Sequence, residues 1–120
     1  MASSRTPGWW MQLIGIAHLA VAAVLYRDAL LEIARDGVVD SVPDRGDRAT
    51  AFWFVAGAPL LWLGGRLMRS AEASGDLGAQ RTAGAALAVT GAVGAAAAPT
   101  SGFWALLATG VAAVRRGVRG

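Results

Sequence analysis

Cysteine is absent from the 120-residue chain, and with it go disulfides, thiolate metal centres, iron–sulfur clusters and a thiol nucleophile. Lysine is absent as well, so all eleven basic residues are arginine. No glycine-rich loop ends on the lysine that grips a nucleotide phosphate, and no Gly-x-Ser-x-Gly elbow presents a serine. Histidine occurs once, at His18. Zinc asks for three or four ligands and a bis-histidine haem for two histidines, so neither is expected within one chain, and the sequence predicts no metal and no cofactor. Only a symmetric dimer could pair two copies of His18.

Acids are fewer than bases, and the net charge is +3. A basic balance raises nucleic acid as a partner. The arginines, however, stand at the ends of apolar stretches and not in one basic block, which is the pattern of membrane topology. No nucleic-acid partner is expected. What fills the chain is apolar: 55% of residues are hydrophobic and the mean hydropathy is +0.47. That is too apolar for an ordinary soluble domain of this length, and there is room for one unit, a single transmembrane domain over residues 1–120. The arginine-only basic set with abundant Ala and Gly reads as bacterial coding of high GC content and carries no chemistry.

Residues 9–26, WWMQLIGIAHLAVAAVLY, form the first apolar run. At about 1.5 Å per residue such a run reaches roughly 27 Å, close to the hydrocarbon thickness of a bilayer. Arg5 before it resembles the start of a signal peptide, but the run is too long and lacks a small-x-small cleavage pattern, so an uncleaved helix is predicted. Met11, Gly15, His18, Ala22 and Leu25 fall on one face. Small residues mark the side where another helix approaches, which points His18 toward neighbouring helices.

Residues 27–50 are the substantial polar connection. Ala29, Leu30, Ile33 and Ala34 make an apolar stripe beside Asp28, Glu32, Arg35 and Asp36, and Gly37 supplies a stop, so a short amphipathic surface helix is predicted. The second span covers residues 50–68, with Pro59 expected to kink it and Gly64–Gly65 allowing close packing. Residues 69–80 read as a simple polar loop. The third span, residues 82–98, is made almost wholly of Ala and Gly; its small faces, Gly84/Ala88 and Gly91/Ala95, suit helix contacts on several sides. Pro99 ends it, a tight turn follows, and residues 102–116 form a short fourth span anchored by Arg115, Arg116 and Arg119.

The predicted fold class is therefore all-α: a four-helix transmembrane bundle with a short amphipathic surface helix between the first and second spans. Arg5, Arg66, Arg69, Arg81, Arg115, Arg116 and Arg119 lie on one side, against Arg27, Arg35, Arg45 and Arg48 on the other. The positive-inside rule then makes both termini cytoplasmic in a multi-pass protein of the bacterial cytoplasmic membrane, with the lipid bilayer as its surroundings.

Two sets of side chains are candidates for chemistry. His18 is ionisable at mid-membrane, where a charge costs about 2.5 kcal/mol or more, so it is a candidate general acid or base or a ligand contact. Its structural alternative is a neutral imidazole bonded to Thr90, Thr109 or a backbone carbonyl. Glu32 is the carboxylate candidate for the same catalytic role, although it and Asp36 also read as a solvated acidic face. On the outer side Tyr26, Trp53 and Trp104, with Asp47, Arg48 and Ser101 at the rim, could line an outward-opening pocket for a lipophilic small molecule. Their alternative is an ordinary interfacial aromatic belt.

With DRATAFWF at residues 47–54, IGIAH at 14–18 and PTSGFW at 99–104, the whole chain resembles a family of small, uncharacterised bacterial four-helix integral membrane proteins classed as a domain of unknown function. Size and helix number are also similar to those of the small multidrug-resistance transporters. Those carry an essential acid in the middle of the first helix, where this chain has only Gln12 and His18. The leading expectation is a membrane protein that holds a lipophilic molecule or a partner helix in an outward-facing pocket near His18 and forms a homo-oligomer, with catalysis left open. The alternatives are a small membrane isomerase, cyclase or hydrolase acting on an isoprenoid- or polyketide-like substrate, and a dimeric proton-coupled transporter.

Overall fold

The computed structural model describes residues 5–119, which form five α-helices and, among the described residues, no strand. The helices are α1 (Pro7–Leu25), α2 (Arg27–Arg35), α3 (Asp47–Ser74), α4 (Leu77–Ala97) and α5 (Phe103–Arg119). The all-α expectation is met. Among the described residues, α1 and α3 are the two helices long and apolar enough to cross a membrane.

The surface helix expected after the first span is α2, which buries Ala29 and Ile33 from its apolar stripe and is followed by Gly37 at φ +83°. α3 continues through Pro59. The polar stretch 69–80 is not the simple loop that its composition suggests. α3 runs on to Ser74 and α4 starts at Leu77, leaving only Gly75 and Asp76 between them. Gly75 adopts φ +72°, and the Asp76 N–H returns to the Ala71 carbonyl at 2.9 Å, the closing bond of a glycine-terminated helix. The Asp76 carboxylate then accepts from the Ala79 N–H at 2.9 Å and caps α4. One residue stops a helix and the next starts another.

The chain divides into two compact groups: the residues up to Gln12 together with those from Leu63 onward, and residues 13–62. In the first group α4 and α5 form an antiparallel hairpin whose backbones meet through glycine. A Cβ added at Gly84 would stand 2.6 Å from the Val114 nitrogen and 2.7 Å from the Gly110 oxygen, and Gly91 lies directly against the backbone of Leu107. Gly117 sits against Arg81, whose Nη1 donates to the Gly117 carbonyl at 2.9 Å. The buried residues of α4, including Gly84, Gly91 and Ala95, form one stripe, while Ala85, Val89, Ala92, Val93 and Ala96 are exposed. Packing on several sides was expected of this helix; within the chain one stripe is buried. In the same group Gly8 and Gly65 are in close contact. The Glu72 carboxylate accepts from the Thr6 hydroxyl and from the Gly8 N–H, placing an anion at the start of α1, where the helix dipole favours it.

In the second group α1 meets α3 at Gly15. A Cβ there would stand 2.8 Å from the Trp62 nitrogen and 3.0 Å from the Ala58 oxygen. Along the four long helices small buried residues recur every seven positions, at Gly8, Gly15 and Ala22, at Ala51, Ala58 and Gly65, at Gly84 and Gly91, and at Gly110 and Gly117. A seven-residue repeat of small side chains keeps one face of a helix in register with its neighbour and allows the backbones to approach.

Among the described residues the buried apolar ones are correspondingly small: seven alanines and no large side chain fully buried, with Met11, Ile33 and Met68 the largest among them. Ile16, Leu19, Val24, Leu60, Leu67, Val89 and Val93 are exposed instead. Ala and Gly are commonly buried in any domain, whereas in a water-soluble one Leu, Ile and Val are commonly buried with them.

Candidate functional site

Three clusters within residues 13–62 contain five of the eight sequence-predicted site residues. The first joins α2 to the start of α3. Arg48, in the opening turn of α3, donates to Asp36 Oδ2 at 2.6 Å, to Glu32 Oε2 at 3.2 Å and to the Ser41 carbonyl at 3.2 Å. Glu32 on α2 and Asp36 at its C-cap lie one turn apart, so a single guanidinium reaches both. The carboxylates that resemble a solvated acidic face are thus engaged together. Arg48, expected at a pocket rim, has its donors directed to protein acceptors, and Ser41 is buried beside it, its hydroxyl donating to the Val38 carbonyl.

The second cluster is a cleft of about 370 Å³ at the α1–α2 corner, lined by Val24, Leu25, Tyr26, Arg27, Asp28, Ala29 and Asp47. Two predicted ligand contacts, Tyr26 and Asp47, therefore share one wall system. Arg27 and Asp28 were not singled out by the sequence reading; their position where an apolar run turns into a charged helix is the signal that locates them. The cleft is two-sided in chemistry. Val24 is 77% exposed and Leu25 69%, and the charged groups of Arg27, Asp28 and Asp47 follow on the polar side.

The third cluster is His18. Its ring is stacked on Phe54, with centroids 3.6 Å apart and planes parallel to 1°, and Phe54 in turn touches Tyr26 at 5.6 Å. Gly57 leaves room beside the imidazole, since a Cβ there would stand 3.6 Å from Nε2. His18 faces α3, as its place among small residues suggested, but an aromatic face, and not a hydroxyl, covers it. It does not line the cleft at the α1–α2 corner. Phe54, which is not among the eight site residues expected from the sequence, is the residue against which His18 is stacked.

Trp53 is 71% exposed and packs edge-on to Phe52. Ser101 and Trp104 belong to the other group of elements, and both are occupied by the turn between α4 and α5: Ser101 Oγ donates to the Ala98 carbonyl at 2.6 Å and Trp104 Nε1 to the Pro99 carbonyl at 2.8 Å. Among the described residues no three of His, Cys, Asp and Glu converge to hold a metal. The arrangement offers a cleft with an apolar and a charged side, a rigid carboxylate–guanidinium corner and a ring-stacked imidazole.

Residues 2–120 match the model of a family described as a family of unknown function, DUF6463. No curated protein and no solved structure matches the chain.

Proposed function

The chain belongs to that family of unknown function, and from this premise we propose that it is a small multi-pass membrane protein that holds an amphiphilic molecule without transforming it. In this reading α1, α3, α4 and α5 are four spans of one transmembrane domain, α2 lies along the surface, and both termini are on the cytoplasmic side of a bacterial membrane. The observation that carries it is the inverted distribution of side-chain size: Ala and Gly are buried while Leu, Ile and Val are exposed. Lipid solvates large apolar side chains at no cost, and close backbone contact through small residues then drives association. The exposed Ala and Val of α4 are a surface on which a second copy can pack. The amphiphile sits with its apolar body against Val24 and Leu25 and its polar end among Tyr26, Arg27, Asp28 and Asp47.

Catalysis by His18 with Glu32 has less support, because the imidazole face is covered by Phe54 and the Glu32 carboxylate is engaged by Arg48.

Since the chain has no cysteine, single cysteines report topology without background. Ser101→Cys is expected to react with a membrane-impermeant maleimide in intact cells, and Ser74→Cys only after permeabilisation. Equal labelling of both in intact cells refutes the four-span arrangement. Native mass spectrometry of gently released protein tests the ligand: a co-purifying lipophilic mass is expected in the wild type and in His18→Ala, and is expected to be lost from Tyr26→Ala/Asp47→Ala. A mass retained by the double variant and lost from His18→Ala moves the site to the imidazole.

A further inference from the structure

A second cleft, of about 730 Å³, lies within the group formed by the residues up to Gln12 and those from Leu63 onward, and it shares no residue with the first. We propose that it binds a phosphate anion, of the kind presented by the head group of an acidic phospholipid. Arg5, Arg115, Arg116 and Arg119 line it with one acidic residue, Glu72; Arg5 stands over the Trp9 ring, and the three arginines of α5 carry the proposal. Glu72 has both oxygens occupied, one by the Thr6 hydroxyl and one by the Gly8 N–H, so it is held as part of the α1 start. The Arg115 and Arg119 positions are one turn apart on α5 with Arg116 adjacent, which concentrates three charges on one end of one helix. Like charges gathered around a concavity repel one another unless an anion lies between them, and the planar fork of arginine donors fits phosphate oxygens.

Gln80 gives a second indication. It is 97% buried in the wall of the same cleft, being 3% exposed, and its Oε1 accepts no hydrogen bond although its Nε2 donates to the Ala71 and Asp76 carbonyls. A buried acceptor without a donor is costly, and a polar occupant bearing a hydroxyl beside its phosphate would relieve it. Surface arginines that merely snorkel at the end of a membrane helix need neither a concavity nor a buried amide. Basic pockets at the ends of membrane helices are suited to phospholipid head groups.

The test uses the full-length protein in neutral detergent, with dioleoyl-phosphatidylglycerol and dioleoyl-phosphatidylcholine added in equal amounts and bound lipid read by native mass spectrometry. Wild-type protein is expected to carry phosphatidylglycerol at roughly ten-fold higher occupancy, because each arginine near an anionic group contributes a sizeable fraction of that factor. R115Q/R116Q/R119Q is expected to fall to the phosphatidylcholine level with its helical circular dichroism intact. The corresponding triple lysine variant is expected to keep most of the preference, and Arg45→Gln, in the other group, all of it. If the triple glutamine variant does not purify, Arg119→Gln alone serves, with a partial loss expected. Glycerol 3-phosphate is added as competitor: displacement of the lipid identifies a soluble phosphate ester as a sufficient ligand, and persistence of the lipid identifies a site that needs the membrane form. Retention of phosphatidylglycerol by the glutamine variants at the wild-type level overturns the proposal, as does a wild type without preference that also fails to bind glycerol 3-phosphate.

Discussion

Gly91→Leu is expected to separate α4 from α5 and to lower the stability of the purified protein by about 3 kcal/mol or more, at or beyond the upper end for overpacking a tight core. The reason is local and specific. A Cβ at position 91 would fall on the backbone of Leu107, and backbone, unlike the end of a side chain, cannot swing aside. Gly64 supplies the control. It lies within α3 with nothing within 4 Å of an added Cβ, so Gly64→Ala removes backbone freedom and introduces no clash, and is expected to stabilise by about 0.5–1 kcal/mol. Thermal or sodium dodecyl sulfate titration of the two variants in detergent measures both. Equal midpoints for Gly91→Leu and the wild type would show that the two helices do not meet at this glycine.

Val93→Asp is the second large effect, and its size depends on the solvent around α4. Val93 is 65% exposed. In water, a polar substitution at such a place changes stability by no more than about 0.5 kcal/mol. In a bilayer, an aspartate near the middle of a span opposes insertion by roughly 3 kcal/mol, a factor of about a hundred. α4 is rich in Ala and Gly, which favour insertion only weakly, so the variant is expected to fail to insert this helix. Scoring the variant for insertion with an engineered glycosylation acceptor next to Ser101 reads the result directly. An acceptor left unmodified in the wild type as well, with stability unchanged in the variant, would put α4 in water and remove two of the four proposed spans.

The helices were legible where apolarity changes sharply. α1 and α2 end close to where the run 9–26 and the stripe through Ala29 and Ile33 place them, since a hydrophobic run and a glycine stop are local signals. The turn at Gly75 and Asp76 was hidden inside polar residues 69–80, because a helix that has left its apolar segment no longer shows its period in hydropathy; the Gly-Asp pair alone marked it. For the site, Glu32 and Arg48 were named separately, and the structure joins them at 3.2 Å. Tyr26 and Asp47 were named as parts of a larger pocket, and they share a smaller cleft. Trp104 and Ser101 looked available because nothing in composition reveals that a side chain will close its own turn. The pairing of His18 with Phe54 depends on the register of two helices, which spacing within either helix does not contain. The seven-residue series of Gly and Ala on both helices was the signal that could have supplied it.

That series also changes what mutagenesis can reveal about this protein. Where Gly8, Gly15, Gly65, Gly84, Gly91, Gly110 and Gly117 carry the contacts, truncating the large side chains removes none of them, and the residues that matter most respond only to a group that is added. Each glycine acts as a spacer of zero width, and adding a single methyl group forces two backbones apart. Information therefore lies in additions: a scan to alanine and then to leucine along each helix would trace the contact lines as sites of failure, while the bulky residues facing outward would tolerate exchange among themselves.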